Sequence, residues 1–192
     1  MWLIALDDPV KARRRELAHL AQDALLGAYL GVPPEALEFE RNDAGKPRLR
    51  GEPLQFNLSH SEQLALLAVT AATVVGVDVQ APHRAVSREW FANRICTSRE
   101  REHLGRLPDT TTLPQELLRL WVRKEAVIKA RGAGSYVAVG EIDVLDDGVA
   151  GGWLCRDLRL SEQPAYRAAV AIAFNNERSE PPELSLRRFT WT

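Results

Sequence analysis

Val74-Val75-Gly76-Val77-Asp78-Val79-Gln80 alternates with the period of an extended strand. Successive side chains of a strand point to opposite faces. Val75, Val77 and Val79 therefore form one apolar face, while Gly76, Asp78 and Gln80 share the other. A carboxylate inside an apolar strand is costly unless it is paired, hydrogen-bonded or metal-bound. Gly76 beside it leaves room for a close backbone approach. Asp78 and Gln80 stand about 6.7 Å apart and point the same way, a placement from which two oxygens can approach a hard cation such as Mg²⁺. A solvent-facing edge of a half-buried sheet gives the same pattern, so the strand alone leaves both readings open.

Working outward, Leu64–Val69 is a second apolar run, joined to Val74–Val79 by a small turn, and the two read as adjacent antiparallel strands. Before them, Leu54–Leu58 is extended and runs into Ser59-His60-Ser61, read as a polar loop whose hydroxyls flank an imidazole, a grouping suited to phosphate. Asn42 to Pro47 is a loop containing Gly45-Lys46. It lacks the second glycine spacing and the Ser/Thr of a Walker A motif. Lys11–Tyr29 has helical spacing of apolar residues and stops at Gly31 and Pro33-Pro34. Residues 2–6 and 37–39 are short strands. Beyond Pro82 helices are expected over 84–95, 98–104 and 115–131, the last stopped by Gly132-Ala133-Gly134. Strands are expected over 136–144, 152–160 and 166–174. A polar tail from about residue 175 wraps the surface. Helices precede strands in each half, which predicts an α+β protein of two similar halves, 1–81 and 82–192.

The helix over 115–131 holds a second anomaly. Leu117, Leu118, Leu120, Trp121, Val127 and Ile128 occupy one apolar arc, and Arg119 and Arg123 fall opposite, where solvent is expected. Lys124 and Glu125 nevertheless lie inside the arc, and Lys129 sits at its edge one turn from Glu125. A solvated Glu125–Lys129 pair would account for the spacing, but it leaves Glu125 pointing at the core. Charges on a buried face are candidates for a site between packed elements.

Composition narrows the partners. The 192 residues suffice for one compact domain or two small ones sharing a core. Twenty-five basic residues balance 26 acidic ones, so the basic excess of a general nucleic-acid binder is missing. No apolar run has the roughly 18 residues of a bilayer span, and the N-terminal apolar stretch is too short for a signal peptide. A cytoplasmic protein is expected, with Cys96 and Cys155 as plain thiols. Only four of the basic residues are lysines, Lys11, Lys46, Lys124 and Lys129. A codon bias explains the scarcity, and the survivors also mark places where a compact ammonium is wanted.

Taken together, Gly45-Lys46-Pro47, Phe56-Asn57-Leu58-Ser59-His60-Ser61, Gly76-Val77-Asp78-Val79 and Trp121-Val122-Arg123-Lys124-Glu125-Ala126-Val127-Ile128-Lys129 resemble, in order and interval, the motifs of the Sfp-type 4′-phosphopantetheinyl transferases. The likeness runs from about residue 10 to 174. It implies a pseudo-twofold α+β fold with the site in the cleft between the halves, working as a monomer. It implies coenzyme A as co-substrate, Mg²⁺ as cofactor and an apo acyl or peptidyl carrier protein as acceptor. The 4′-phosphopantetheine arm would pass to a carrier serine, releasing adenosine 3′,5′-bisphosphate. Carried onto this sequence, Asp78, Glu125 and Lys129 are catalytic, and Asp78, Glu125 and Gln80 hold the metal. Gly45, Lys46, Pro47, Asn57, Ser59, His60, Lys129, Lys124 and Arg14 hold coenzyme A, with Lys124 alternatively orienting Glu125. Separately, Arg84, Arg88, Arg94, Arg99 and Arg101 read either as a basic face for an acidic carrier or as a solvated helix whose arginines balance Glu89, Glu100 and Glu102.

Two departures stand out. Many relatives carry Glu where this chain has Gln80, which removes a negative charge from the metal shell. The segment before the first helix is short, leaving Lys11, Arg13 or Arg14 as candidates for the 3′-phosphate. Gln80 keeps one alternative in view, a degenerate protein that binds coenzyme A or carrier protein without turnover. A metal-dependent phosphohydrolase using His60, Asp78 and Glu125 is the other.

Overall fold

The computed structural model describes residues 1–71, 73–82, 88–108, 112–132, 139–147, 152–174 and 183–191. The chain is a mixed α+β protein of four packed layers. Strand β1 (Trp2–Ala5) leads into helix α1 (Lys11–Leu30), which ends at Gly31. A hairpin of β2 (Phe39–Arg41) and β3 (Pro47–Leu49) follows, then β4 (Gln55–Ser61) and β5 (Leu64–Thr70). Next come β6 (Val75–Gln80), α2 (Arg88–Arg94), α3 (Ser98–Gly105) and the long α4 (Thr112–Arg131). Strands β7 (Trp153–Asp157), β8 (Arg167–Ala173) and β9 (Arg187–Phe189) complete the order.

One sheet has the order β4-β5-β1-β9 and another β6-β8-β7. The period-2 alternation of β5 fixes how they stack. Ala65 and Leu67 face α1 with Ile4, Leu25, Leu26 and Phe56. Leu64, Leu66 and Ala68 face the second sheet and meet Val75, Val77, Val79, Val170 and Ile172. On that sheet's far side Ala169, Ala171 and Cys155 receive α4, with Leu120, Trp121, Ala126, Val127 and Phe91 of α2. Helix α3 is started by a capping box: Thr97 Oγ1 accepts from the Glu100 N–H, and Glu100 Oε2 accepts from the Thr97 N–H. Cys96 and Cys155 are free and buried.

Several expectations need correction. Strands β5 and β6 are not a hydrogen-bonded hairpin. β5 pairs with β4 and β1, whereas β6 pairs antiparallel with β8, Asp78 opposite Ala169. The crossing between sheets thus falls at the turn after Thr70. Ser59-His60-Ser61 is strand, because β4 continues opposite Leu64–Leu66. The described part of the 136–144 strand is a 3₁₀ turn over Val139–Glu141 followed by irregular chain. The tail supplies a strand as well as cover: β9 runs parallel to β1, Leu3 opposite Arg188. Residues 84–87 of the expected helix, 136–138 of the expected strand, and 175–182 and 192 of the tail lie outside the described residues.

Helix α4 crosses β6 at Gly76. A Cβ there would stand 2.1 Å from the Ala126 carbonyl oxygen and 2.3 Å from the Ala130 nitrogen. The neighbours are helix backbone, so relief requires moving α4 as a body. Gly76→Ala is expected to cost about 3 kcal/mol, the upper end of the range for overpacking. Urea denaturation of the two proteins checks this, and an unchanged midpoint would place α4 elsewhere.

Candidate active site

The strands that form the site meet without a shared backbone ladder. β4 and β6 lie side by side and are joined by side chains. Asn57 Oδ1 accepts from the Val77 N–H at 2.8 Å, Ser59 Oγ from the Val79 N–H at 3.3 Å, and Ser61 Oγ from the Ala81 N–H at 3.0 Å. Residues at i, i+2 and i+4 of β4 point one way, so every second side chain satisfies a donor on the outer edge of β6. Unpaired edge donors would otherwise be costly where buried. Asn57 and Ser59 are buried for this reason.

Asp78 stands at the centre of the seam, 1% exposed. Its Oδ1 accepts from Ser59 Oγ at 2.7 Å and from Lys129 Nζ at 2.6 Å, and its Oδ2 accepts from Gln80 Nε2 at 3.2 Å. Lys129 Nζ also donates to Ser59 Oγ at 3.0 Å. The close contact of α4 at Gly76 is what carries Lys129 to Asp78. Glu125 is half-buried one helical turn away. Helix α4 runs antiparallel to β6: Ala130 shares the Lys46 ammonium with Val75 at one end, and Arg167, opposite Gln80, bonds Gln115 at the other. Glu125 therefore lies toward the Gln80 end of the strand.

His60 faces a cleft of about 820 Å³ whose wall also includes Lys11, Arg15, His19, Gln22, Arg41, Pro47 and Asn57. Lys11, Arg15 and His19 recur every fourth residue and so form one stripe of α1. A smaller cavity of about 380 Å³ shares Lys11 and His60 and reaches Arg14, Ser61 and Gln80. Together they make an electropositive trough ending beside the Asp78 cluster. Partial burial, then the positive charges of His19, Arg15, Lys129 and Lys11, hold the His60 imidazole below its ordinary value of 6.5.

The sequence-derived candidates divide accordingly. Asp78, Ser59, Gln80 and Lys129 meet in one hydrogen-bonded cluster, and His60, Asn57, Pro47 and Arg14 line the two cavities. Arg14 also pairs with Glu62 at 3.1 Å. Gly45 lies in the β2–β3 turn, where its carbonyl accepts from Arg41 Nη1. Lys46 turns away from the cleft, its Nζ donating to the carbonyls of Val75 at 2.9 Å and Ala130 at 3.3 Å. Burial lowers its pKa to about 8. Lys124 does not reach the cluster. Its ammonium is 1% exposed, paired with fully buried Glu100 at 2.8 Å, and donates to the carbonyls of Val139 and Ile142. Three acceptors saturate its three N–H donors, so a phosphate contact from Lys124 gives way to a structural role. Arg123 corrects the helical wheel. It is fully buried and bonds Asp147, the Asp146 carbonyl and the Cys155 carbonyl. On the expected basic face Arg99 is paired with Asp143 and Asp146, and Arg101 bonds Ser98. The Lys11–Arg15–His19 stripe went unread. Its four-residue spacing was the available signal.

A family model described as the 4′-phosphopantetheinyl transferase superfamily matches residues 74–175, a span that contains Asp78, Gln80, Glu125 and Lys129. The chain belongs to this superfamily. It is 39% identical over 115 residues to the 4′-phosphopantetheinyl transferase HetI of a Nostoc strain, covering 58% of this chain and 48% of that protein. It is 33% identical over 121 residues to the 4′-phosphopantetheinyl transferase AcpT of Escherichia coli, covering 62% and 60%. It is 31% identical over 121 residues to the mouse L-aminoadipate-semialdehyde dehydrogenase-phosphopantetheinyl transferase, covering 57% and 39%. The matches thus span between about two fifths and three fifths of these relatives' lengths.

The trough sets a pH dependence. An anion beside His60 offsets the neighbouring positive charges and raises its pKa, so binding takes up a proton. Affinity for pyrophosphate is expected to rise several-fold as pH falls from 7.5 through 6.5 and below. Folding has the opposite sign: a histidine lowered in the native state favours unfolding once pH drops below about 6.5, the unfolded value. Calorimetric titration at pH 7.5, 6.5 and 5.5 tests the binding arm. A His60→Gln slope as steep as the wild-type slope would remove His60 from the site.

Proposed function

We propose that this chain transfers 4′-phosphopantetheine from coenzyme A to a serine of an apo acyl or peptidyl carrier protein, releasing adenosine 3′,5′-bisphosphate. The observation that carries the reading is the buried Asp78–Lys129–Ser59 cluster at the end of a basic trough, in a chain of this superfamily. The site is read where the trough, lined by residues of 1–81, meets Lys129 and Glu125 of α4. Lys11, Arg15, His19 and His60 suit the phosphates of coenzyme A, as point charges and hydrogen-bond donors. Arg14 suits the same role from the smaller cavity.

The carrier serine attacks the phosphorus that bears the pantetheine. A P–O bond forms, the P–O bond to the bisphosphate breaks, and the serine proton passes to Glu125 acting as general base. Lys129 stabilises the negative charge that grows on the transferred phosphoryl group. Its contact with Asp78 fixes where the ammonium points. Two carboxylates and an amide, Asp78, Glu125 and Gln80, are hard oxygen donors of the kind Mg²⁺ accepts when water and substrate phosphates complete its shell. Among the described residues no three His, Cys, Asp or Glu cluster, so water and substrate would have to supply the rest of the shell. Bound there, Mg²⁺ offsets phosphate charge. We also read the protein as a cytoplasmic monomer that acts on neither nucleic acid nor membrane. The balanced charge speaks against a general nucleic-acid binder; among the described residues no helix is long and apolar enough to cross a membrane.

An apo carrier protein incubated with coenzyme A and Mg²⁺ should gain one phosphopantetheine mass. Free phosphopantetheine without carrier would point to the hydrolase, and binding without either product to the degenerate protein. Glu125→Gln should lower kcat at least a hundredfold, a loss in the range assigned to a general base, while the circular dichroism spectrum is retained. Turnover within threefold of wild type would take Glu125 out of the mechanism.

Gln80 supplies a further test. Gln80→Glu adds a carboxylate beside Asp78, and Mg²⁺ should then support half-maximal activity at a lower concentration. Superimposed Mg²⁺ titrations of initial rate would separate Gln80 from the metal.

A further inference from the structure

The turn that links β2 to β3 grips the end of the helix that bears Glu125 and Lys129. Asn42 closes the turn: its N–H donates to the Lys46 carbonyl at 3.0 Å, and its Oδ1 accepts from the Lys46 N–H at 2.8 Å. Two side chains then reach across to α4. Asn42 Nδ2 donates to the Gly132 carbonyl at 3.0 Å, and Lys46 Nζ donates to the Ala130 carbonyl at 3.3 Å. The last four carbonyls of a helix have no partner within it, and cations near that end are favoured by the helix dipole. Gly132 has a left-handed φ of +64°, and a Cβ on it would meet Asn42 Nδ2 at 2.8 Å. The same ammonium donates to the Val75 carbonyl at 2.9 Å. Lys46 thus holds together the end of α4 and the start of β6, next to the Gly76 contact that sets Lys129 against Asp78.

The side chain of Lys46 is absent from the wall of the large cleft, while its neighbours Arg41 and Pro47 line it. Arg41 also donates to the Gly45 carbonyl at 2.7 Å. One side of the turn faces the basic trough and the other grips α4.

We propose that Lys46, with Asn42, is a positioning residue: it latches the C-terminal turn of α4 to β6 and so holds Lys129 on Asp78, and it is not a ligand of the coenzyme A phosphates. The proposal rests on the transferase reading for its effect on rate. Its contacts with the helix end stand on the geometry alone.

The test uses the full chain with Lys46→Met, which keeps the stem and removes the ammonium, and Asn42→Ala, which loosens the turn from its other end. Three quantities are compared with wild type: the calorimetric Kd for coenzyme A without carrier, kcat and KM for transfer, and amide exchange in the last turn of α4. Both variants are expected to leave Kd within about twofold, to lower kcat about tenfold or more, and to speed exchange of those amides at least tenfold. The double variant should lose little more than either single one, since both act through one latch. A tenfold weaker Kd with kcat retained would make Lys46 a phosphate ligand and overturn the proposal. Faster exchange or a lower Tm with kcat retained would make the contact merely structural and overturn it too. Should Lys46→Met fail to fold, Asn42→Ala decides alone. A wild-type chain that binds coenzyme A and transfers nothing would overturn the transferase reading, and the exchange measurement would still decide the latch.

Discussion

The seam between β4 and β6 is the constraint on which the rest depends. Had β4 hydrogen-bonded β6 directly, the two backbones would lie about 4.8 Å apart, with no place for side chains between them. Here Asn57, Ser59 and Ser61 stand in the gap and satisfy the Val77, Val79 and Ala81 donors instead. The two sheets can then pack face to face through Leu66 and Val77 while their edges stay separated by a polar row. Asp78 faces α4 beside that row, so a hydroxyl and an ammonium both reach a carboxylate that is otherwise enclosed. A buried charge survives only with such partners. The seam creates the place where Asp78 is tolerated.

Helix α4 distributes its cations over separate acids. Arg119 pairs with Glu116 and Asp157, Arg123 with Asp147 and Asp157, Lys124 with Glu100, and Lys129 with Asp78. The first three pairings tie α4 to α3 and to the β7 region, away from the cleft. Glu100 shows how completely such a group is absorbed: one carboxylate caps α3, accepts from the Val144 N–H and pairs with Lys124. Of these cations Lys129 is the one whose acid partner adjoins the trough. Its side chain is 27% exposed against 1% for Lys124, and that difference decides which of the two can meet a substrate phosphate.

Much of this was legible in the residues. Strict alternation placed Val75, Val77 and Val79 against one layer and Gly76, Asp78 and Gln80 against another, and Gly76 beside Asp78 signalled the close approach that α4 makes. Lys124 and Glu125 on the apolar arc signalled charges with partners inside. The pairing of β6 was not legible, because a short turn after an apolar strand suggests a hairpin whether or not the next strand leaves for another sheet. Ser59-His60-Ser61 reads as loop because it is a run of three polar residues after an apolar stretch, when a polar residue at every second position is also what a strand needs to serve a neighbouring edge. Arg123 was misplaced for a different reason. A helical wheel assumes one covered face, and here residues 146–147 and β7 cover the face opposite the core arc.

The scarcity of lysine takes on meaning in this arrangement. Lys46 meets two carbonyls from different elements, Lys124 a carboxylate and two carbonyls, and Lys129 a carboxylate and a hydroxyl. In each case the acceptors come from separate segments and converge on a single nitrogen. A compact ammonium with three rotatable donors answers that geometry, whereas a guanidinium presents its donors in a fixed plane. Arg123 shows the contrast, since its two Nη groups reach Asp147 on one side and the Asp146 and Cys155 carbonyls on the other. Whatever favoured arginine elsewhere in the chain met resistance at these three points, where replacing a point charge by a fork would push apart the elements that the nitrogen draws together.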